Sequence, residues 1–327
     1  MIAVQLLTQN RSNILPFLLE SLITQSEKNF ELFHLDNNST PEHKNKIKDL
    51  MANYATKINI HSFWSETNIG FAGGQEFLFN QQPAEFVLLL NDDAILEPDY
   101  LKTLHTFLAN QPNAGAVEGL IYRWRWNAEQ TAPIKTTLID TAGLKRTRYE
   151  RVYDFNQGQD ITSTNIDTQK PFEVFGVSGC LPLYRRAAVT EANQPFKLFD
   201  PKYFIYKEDI DVSYRLFKRG FKSYTVPLAK AFHWRYFQKV RWWNRPVSYN
   251  TEYFSYRNHW YNLLKHLTKQ DWLKNGWLII PFEIMKAGYL LMKRPSIIWK
   301  TLLDLKNPPP TPVDINQQVC VDVNSII

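Results

Sequence analysis

Residues 86–90, Phe-Val-Leu-Leu-Leu, are continuously apolar and run straight into Asn91-Asp92-Asp93. A short apolar run closed by polar turn residues reads as a strand covered on both faces, the kind found in parallel sheets flanked by helices. The chain before it has the matching rhythm. An apolar run at 2–7 ends in Thr8-Gln9-Asn10-Arg11, and Leu15, Leu18, Leu19 and Leu22 then recur at helical spacing. A second strand at 30–35 ends in Asp36-Asn37-Asn38-Ser39-Thr40, which is turn and helix-capping chemistry. A lysine-rich helix at 42–54, a strand at 58–63, the Gly-rich loop 68–74 and a further helix follow. This β-α-β-α-β-α-β order predicts an α/β fold with a mostly parallel central sheet, binding ligand at the carboxyl ends of its strands.

Past this unit the pattern loosens. Residues 127–170 are rich in Thr, Asn, Gln and Asp and read as an excursion or lid rather than core. Apolar order returns at 172–183; 211–219 reads as a helix stopped by Gly220, and 223–226 as a strand. Beyond Trp242 the chain reads as helices broken at Pro281 and Pro295, with a mobile arm from Asn307 that carries Pro-Pro-Pro-Thr-Pro.

Composition excludes some classes. At 327 residues, 44% hydrophobic and 21% charged, the chain is long enough for a core and too apolar for wholesale disorder. Two distant cysteines, Cys180 and Cys320, exclude a disulfide framework and a four-cysteine zinc site. The first apolar run has no basic region ahead of it and reads as a strand, not a signal peptide. Charge is unevenly placed: residues 212–303 carry 17 Lys and Arg against 3 Asp and Glu, so a net +14 there is set against −8 elsewhere. Seven of the ten tryptophans also lie beyond Phe232, and such a basic, aromatic half suits nucleic acid, anionic lipid or an anionic substrate. Residues 277–292 are apolar but include Pro281, Glu283 and Lys286. That falls short of the roughly 20 residues needed to cross a bilayer, so an interfacial or core-packed helix is expected.

Four places could carry chemistry, each with a plainer alternative. Asn91-Asp92-Asp93 puts two carboxylates at a strand's carboxyl end, where a divalent ion and diphosphate oxygens would relieve their repulsion; a solvated turn is the alternative. Glu208-Asp209-Ile210-Asp211 opens a helix, as a source of a general base or as acids favoured by the helix dipole. His233 could complete a metal site or be structural. Gly70-Phe71-Ala72-Gly73-Gly74 and Gly176-Val177-Ser178-Gly179 permit close backbone approach but match neither a P-loop nor a dinucleotide fingerprint.

Taken in order, Thr8-Gln9-Asn10-Arg11, Asp36-Asn37-Asn38-Ser39, the 68–74 loop, Asn91-Asp92-Asp93, 176–179, Glu208-Asp209-Ile210-Asp211 and Tyr256-Arg257-Asn258 form a pattern. It resembles the family 2 inverting glycosyltransferases of the GT-A fold, most closely their rhamnosyltransferase-like branch, over residues 2 to about 264. The resemblance implies a catalytic domain at 1–236, with a nucleotide-binding half to about 100 and an acceptor half from about 101. A helical, basic and aromatic region at 237–306 and a flexible tail at 307–327 would follow.

By the same resemblance Thr8, Asn10, Arg11, Asp36, Asn38, Asn68, Gly74, Asn91 and Asp92 border the donor nucleotide. Asp93 and His233 hold Mg²⁺ or Mn²⁺, with Asn91 standing where many members carry Asp. Asp209 is the base with Glu208 beside it, and Gly179 and Trp234 line the sugar and acceptor pocket. The implied reaction moves a sugar with inversion from a nucleotide-diphosphate donor, dTDP-rhamnose or alternatively a UDP sugar, to a lipid-linked or polysaccharide acceptor in bacterial surface glycan synthesis. The implied setting is the cytoplasmic face of an anionic membrane. Lys239, Arg241, Trp242, Trp243, Arg245, Trp272, Lys274, Trp277, Lys293 and Arg294 are expected to face it, or in part to form core or homodimer contacts. A non-catalytic carbohydrate- or membrane-binding relative remains open. A nucleotidyltransferase would need a Gly-rich loop after the first strand, and a nucleic-acid partner would leave the acids at 92–93 and 208–209 unexplained.

Overall fold

The computed structural model describes residues 1–191, 196–235 and 247–306, together with the backbone of 319–321. Its first half alternates as the sequence predicts: β1 (Ile2–Thr8), α1 (Leu15–Ile23), β2 (Phe30–Asn37), α2 (Pro41–Tyr54), β3 (Ile60–Ser65), α3 (Gly70–Asn80) and β4 (Phe86–Asn91). These strands pair in parallel as β3-β2-β1-β4, with Thr8 opposite Asp36 and Leu7 opposite Asn91. The register sets the three polar strand ends side by side on one edge of the sheet, while Phe86 to Leu90 are buried between helical layers.

The chain continues through β5 (Ala94–Leu96), α4 (Tyr100–Ala109), β6 (Ala114–Trp126), β7 (Pro133–Thr141), β8 (Leu144–Arg146), β9 (Val152–Asp154) and β10 (Phe172–Val174). After them come β11 (Leu183–Arg185), α5 (Arg186–Val189), α6 (Glu208–Lys218) and β12 (Lys222–Trp234). The main sheet runs β10-β12-β6-β11-β4-β1-β2-β3-β13, with β5 on β12 and β7 on β6. Beyond β4 the sheet is mixed. β6 and β12 are parallel, but β11 lies antiparallel between β4 and β6, because the chain enters it from a loop rather than through a helical crossover.

Helices α7 (Tyr249–His266), α8 (Lys269–Lys293) and α9 (Pro295–Lys306) close the fold, and β13 (Val319–Val321) pairs antiparallel with β3. Tyr253, Tyr256, Leu290 and Ile297 form a small core of their own among these helices. Among the described residues no helix is long and apolar enough to cross a membrane.

Four local expectations need correcting. The Gly-rich 68–74 segment is not a loop ahead of α3: the helix begins at Gly70, whose φ of +77° and approach to the Phe204 carbonyl leave no room for a Cβ. Pro281 does not break α8, which runs 25 residues through it behind a Thr268–Asp271 capping box. Pro281 is exposed, so its missing N–H frees a carbonyl that water can reach. The strand expected at 223–226 extends to Trp234 and carries His233 into the crevice. The 127–170 excursion is partly core, because β7 pairs with β6 and buries Asp140, Thr141 and Ala142. Of the expected arm at 307–327 only β13 is described. Lys239, Arg241, Trp242, Trp243 and Arg245 lie outside the described residues.

Candidate active site

The crevice at the strand ends is pre-shaped by side chains binding one another. Asp36 is fully buried at the end of β2 and accepts from the Ser39 hydroxyl (2.5 Å), the Ser39 N–H (3.1 Å) and the Thr8 hydroxyl (3.4 Å). Asn10 and Asn38 take left-handed φ values of 57° and 65°, which asparagine tolerates, and Asn38 is exposed at the rim. The Asn10 side chain accepts from the Thr40 N–H at 2.8 Å, tying the β1 loop to the β2 loop. Asn68 accepts from the Gly70 N–H (2.8 Å) and from Asn37 (3.0 Å), so it fixes the start of α3 beside them. Gly74 lies deeper, where a Cβ would meet Leu7 at 2.5 Å; its place is the α3–β1 contact. His34, not singled out in the sequence, bonds Thr8 at 2.9 Å and is held neutral by burial, which pulls its pKa down to about 3.

Asp93 is the hinge of the site. Its Oδ2 receives Arg11 at 3.2 Å, and its carbonyl receives the Trp124 indole (2.8 Å) and the Trp234 N–H (3.0 Å). The Arg11 guanidinium also sits 5.0 Å over the Trp234 ring. Asp93 Oδ1 is buried without a hydrogen bond and lies 3.0 Å from His233 Nε2. On the other side of the ring, His233 Nδ1 bonds Asp140 at 2.8 Å, and Asp140 is further paired with Arg123 and Arg235. Asp140 therefore fixes the imidazole so that Nε2 and Asp93 Oδ1 converge, the arrangement of a carboxylate-oriented metal-binding histidine. Burial opposes charge on His233, but negative neighbours at Cys180, Asp93 and Asp140 raise its pKa well above the usual value. Burial also raises the Cys180 thiol, so at neutral pH the carboxylates supply that effect. Among the described residues no three His, Cys, Asp or Glu side chains gather to hold a metal unaided. Asp93 and His233 fit a divalent ion that takes its remaining oxygens from water or a diphosphate. Asp92, half-buried, accepts the Gln9 N–H at 3.3 Å, and burial together with Asp93 lifts its pKa to about 7.

A second acid pair opens α6. Asp209 accepts the Gly179 N–H at Oδ2 (3.0 Å) and the Ile210 N–H at Oδ1 (2.8 Å). Burial raises its pKa, and those N–H groups and the Lys207 ammonium work against the rise. Glu208 is fully enclosed with Oε2 unpartnered, and burial plus the neighbouring Asp209 push it up to about 8. One backbone segment joins the two acid pairs. Gly179 donates to Asp209, the next residue's carbonyl (Cys180) accepts the Asn91 N–H at 3.3 Å, and Ser178 donates to buried Glu118 at 2.8 Å. Asn91 Nδ2 also lies 3.5 Å from His233 Nε2.

The loop presenting Asp209 is strained and clamped. Phe204, Tyr206 and Lys207 all have positive φ (60°, 71° and 68°), at a cost of order 1–3 kcal/mol each. Helix α7 holds it: the Asn258 amide donates to the carbonyls of Tyr203, Ile205 and Tyr206 (2.7–2.9 Å), and Asn262 donates to that of Lys207 (3.1 Å). Arg257 adds the carbonyls of Lys202 and Tyr203. Buried Asp211 binds Arg215, Lys265 and His266 and so ties α6 to α7.

Asp140, Glu118 and Arg235 were missed in the sequence because each is placed by pairings far along the chain. The Tyr256-Arg257-Asn258 motif was seen without a role. Of the other expected membrane-facing residues, Trp277 is largely exposed on α8 and Lys274 is exposed, whereas Lys293 and Arg294 both pair with Glu252. Trp272 is half-buried.

Comparison with solved structures finds the same fold. A structure of GalNAc-T7 with UDP, GalNAc and Mn²⁺ superposes at a TM-score of 0.58 with 13% identity, over 81% of this chain and 47% of that one. The mannosyltransferase PcManGT from Pyrobaculum calidifontis with GDP-Man and Mn²⁺ gives 0.54 at 13% identity, over 94% of this chain and 81% of that one. S. aureus TarS 1-349 with UDP-GlcNAc gives 0.51 at 17% identity, over 82% and 68%. At these identities the likeness is one of fold, and the chain spans about half the length of the GalNAc-T7 chain. A search of curated proteins returned no match. The sequence model of glycosyl transferase family 2 matches residues 4–191, more than half of the chain and nearly all of its parallel unit, so this protein belongs to glycosyl transferase family 2.

Proposed function

We propose that the protein transfers a sugar from a nucleotide-diphosphate donor to an acceptor hydroxyl with inversion at the anomeric carbon. The observation that carries this reading is Asp209, a half-buried carboxylate aimed by two backbone N–H groups and joined through Gly179-Cys180 to the Asp93–His233 pair. In this reading Thr8, Asp36 and Asn68 frame the nucleoside, and Asp93 and His233 hold Mg²⁺ or Mn²⁺ against the diphosphate. When bound, that ion acts as a Lewis acid on the leaving diphosphate. The acceptor oxygen attacks the anomeric carbon opposite the leaving group, its proton passes to Asp209, and the carbon–phosphate oxygen bond breaks to release the nucleoside diphosphate. Because Asp209 is anchored through its backbone contacts, it would meet the acceptor without a rotamer search.

The donor we favour is dTDP-rhamnose, from the resemblance of the Asn68–Gly74 segment, with a lipid-linked or polysaccharide acceptor at the inner face of a bacterial membrane. A UDP sugar is the second reading, favoured by UDP and UDP-GlcNAc in two of the similar structures. A thermal-shift panel of nucleotide sugars with Mn²⁺ decides between them. One donor should raise Tm well beyond the rest; no response to any nucleotide sugar overturns donor binding.

A further inference from the structure

Glu118 is an acid inside an apolar strand. It is fully buried in β6 beside Val117, Leu120 and Ile121, opposite Thr225 of β12. Burying a carboxyl is costly unless its hydrogen bonds with water are replaced, so on packing grounds a leucine would suit this place better. One bond is replaced: Oε2 accepts the Ser178 N–H at 2.8 Å, while Oε1 has no partner. Burial, with Asp154 and Asp209 nearby, pushes the carboxyl well above the usual range, which favours its neutral form; either form accepts that N–H.

The bond matters because of the segment it holds. Residues 176–179 run against the start of α6, where a Cβ on Gly176 would collide with Ser213. Both ends of the segment are pinned elsewhere. The Gly176 carbonyl accepts the Leu144 N–H at 2.8 Å, and the Cys180 carbonyl accepts the Asn91 N–H at 3.3 Å. Between these pins Val177 packs into the core, the Ser178 N–H goes to Glu118, and the Gly179 N–H goes to Asp209 Oδ2 at 3.0 Å. Two consecutive N–H groups thus bind two acids on different elements, one in the sheet and one on the helix.

We propose that Glu118 is a positioning residue for the base: by fixing the Ser178 N–H it sets the turn of the next peptide, so that the Gly179 N–H points at Asp209 and steadies its ionised carboxylate. That Asp209 is a base rests on the glycosyl-transfer reading; that Glu118 steers the Gly179–Asp209 bond does not. A purely structural Glu118 would hold the segment without altering that bond. Asp209 is also faced by Lys207 and Glu208 from its own segment, Asp154 from β9 and Tyr184 from β11, so its ionisation has to be read directly.

The test is an NMR pH titration of the full chain, isotopically labelled at glycine nitrogen. The sequence holds 12 glycines, and the Gly179 amide is identified by its loss in Gly179→Ala, where a Cβ meets nothing nearer than 3.6 Å. Its shift should step as Asp209 ionises, and the step should vanish in Asp209→Asn. Glu118→Gln still offers an oxygen to Ser178 and should titrate like the parent. Glu118→Leu should move the midpoint up by about one to two pH units, the worth of one hydrogen bond to a charged acceptor. Glu118→Asp, whose shorter side chain withdraws from Ser178, should move it the same way and decides the matter if the leucine variant does not fold. An unmoved midpoint in whichever of these two folds, a glutamine variant shifted as far as either, or a Gly179 amide with no step due to Asp209 overturns the proposal. Where a nucleotide sugar is turned over, the acid limb of kcat should move upward with the midpoint. A moved midpoint without turnover of dTDP-rhamnose or UDP-GlcNAc leaves the positioning standing and counts against the transfer reading alone.

Discussion

The protein carries two pairs of adjacent acids in one crevice, and they are built differently. Asp92-Asp93 sits among cations: Arg11 holds one oxygen of Asp93, and His233, steered by Asp140, faces the other. Glu208-Asp209 has no arginine or histidine partner within ion-pair reach among the described residues, and Asp209 is held by backbone N–H groups instead. Cations keep Asp93 ionised and give it a partner for a metal; N–H groups orient Asp209 while leaving its basicity to burial. Two neighbouring carboxylates cannot both be cheaply charged in a buried site. In each pair one member takes up the strain, Asp92 rising to about 7 and Glu208 to about 8.

That contrast can be broken most severely at Asp209. Asp209→Asn should keep the fold and donor affinity while lowering transfer about 10²–10⁴-fold, the span of a general base; near-wild-type turnover by the purified variant ends the assignment. Asn258→Ala should come next. It leaves the carbonyls of Ile205 and Tyr206 in the strained loop without this amide, at about 1–3 kcal/mol for each that water cannot reach, so kcat should fall more than donor KM. A lower Tm with unchanged kcat would make Asn258 merely structural.

On the other pair, Asp140→Asn should weaken Mn²⁺ binding about 10–100-fold by releasing the His233 ring, read by calorimetry with nucleoside diphosphate present. Unaltered Mn²⁺ affinity would remove Asp140 from the site. The smallest effect on catalysis belongs to Glu208→Gln, because burial and the neighbouring Asp209 favour the protonated form of Glu208. Its effect on stability has a definite sign. A carboxyl raised to about 8 in the folded protein, against 4.5 for its ordinary value, makes the folded state lose stability as pH rises between those values. The Tm advantage of Glu208→Gln over the parent should therefore widen from pH 5 to pH 8 and then level off. A constant difference across that range would show that Glu208 is ionised in the fold.

Much of the strand-end crevice was legible because it is local. Apolar strand runs, their polar ends and the turn residues after them place Thr8, Asp36 and Asp93 within a few residues of the feature that announces them. The start of α6 was legible for the same reason. Asp140 was not: in sequence it stands in a polar stretch that looks like a lid, and it enters the site only because β7 pairs back onto β6. Asn258 was visible as part of a motif, but its role lies in carbonyls more than 50 residues earlier. The Gly70–Gly74 segment was misjudged because glycine marks both loops and tight helix packing, and only the approach of Phe204 and Leu7 distinguishes the two.

By itself the sequence determined the alternation of strands and helices, the edge of the sheet where chemistry gathers, and the two acid pairs. Period, turn chemistry and charge are properties of neighbouring residues. The tertiary structure alone decided which partners surround each acid pair and which contacts aim His233 and Asp209. Those outcomes depend on burial and on contacts between distant segments, and both come into being only when the chain closes on itself.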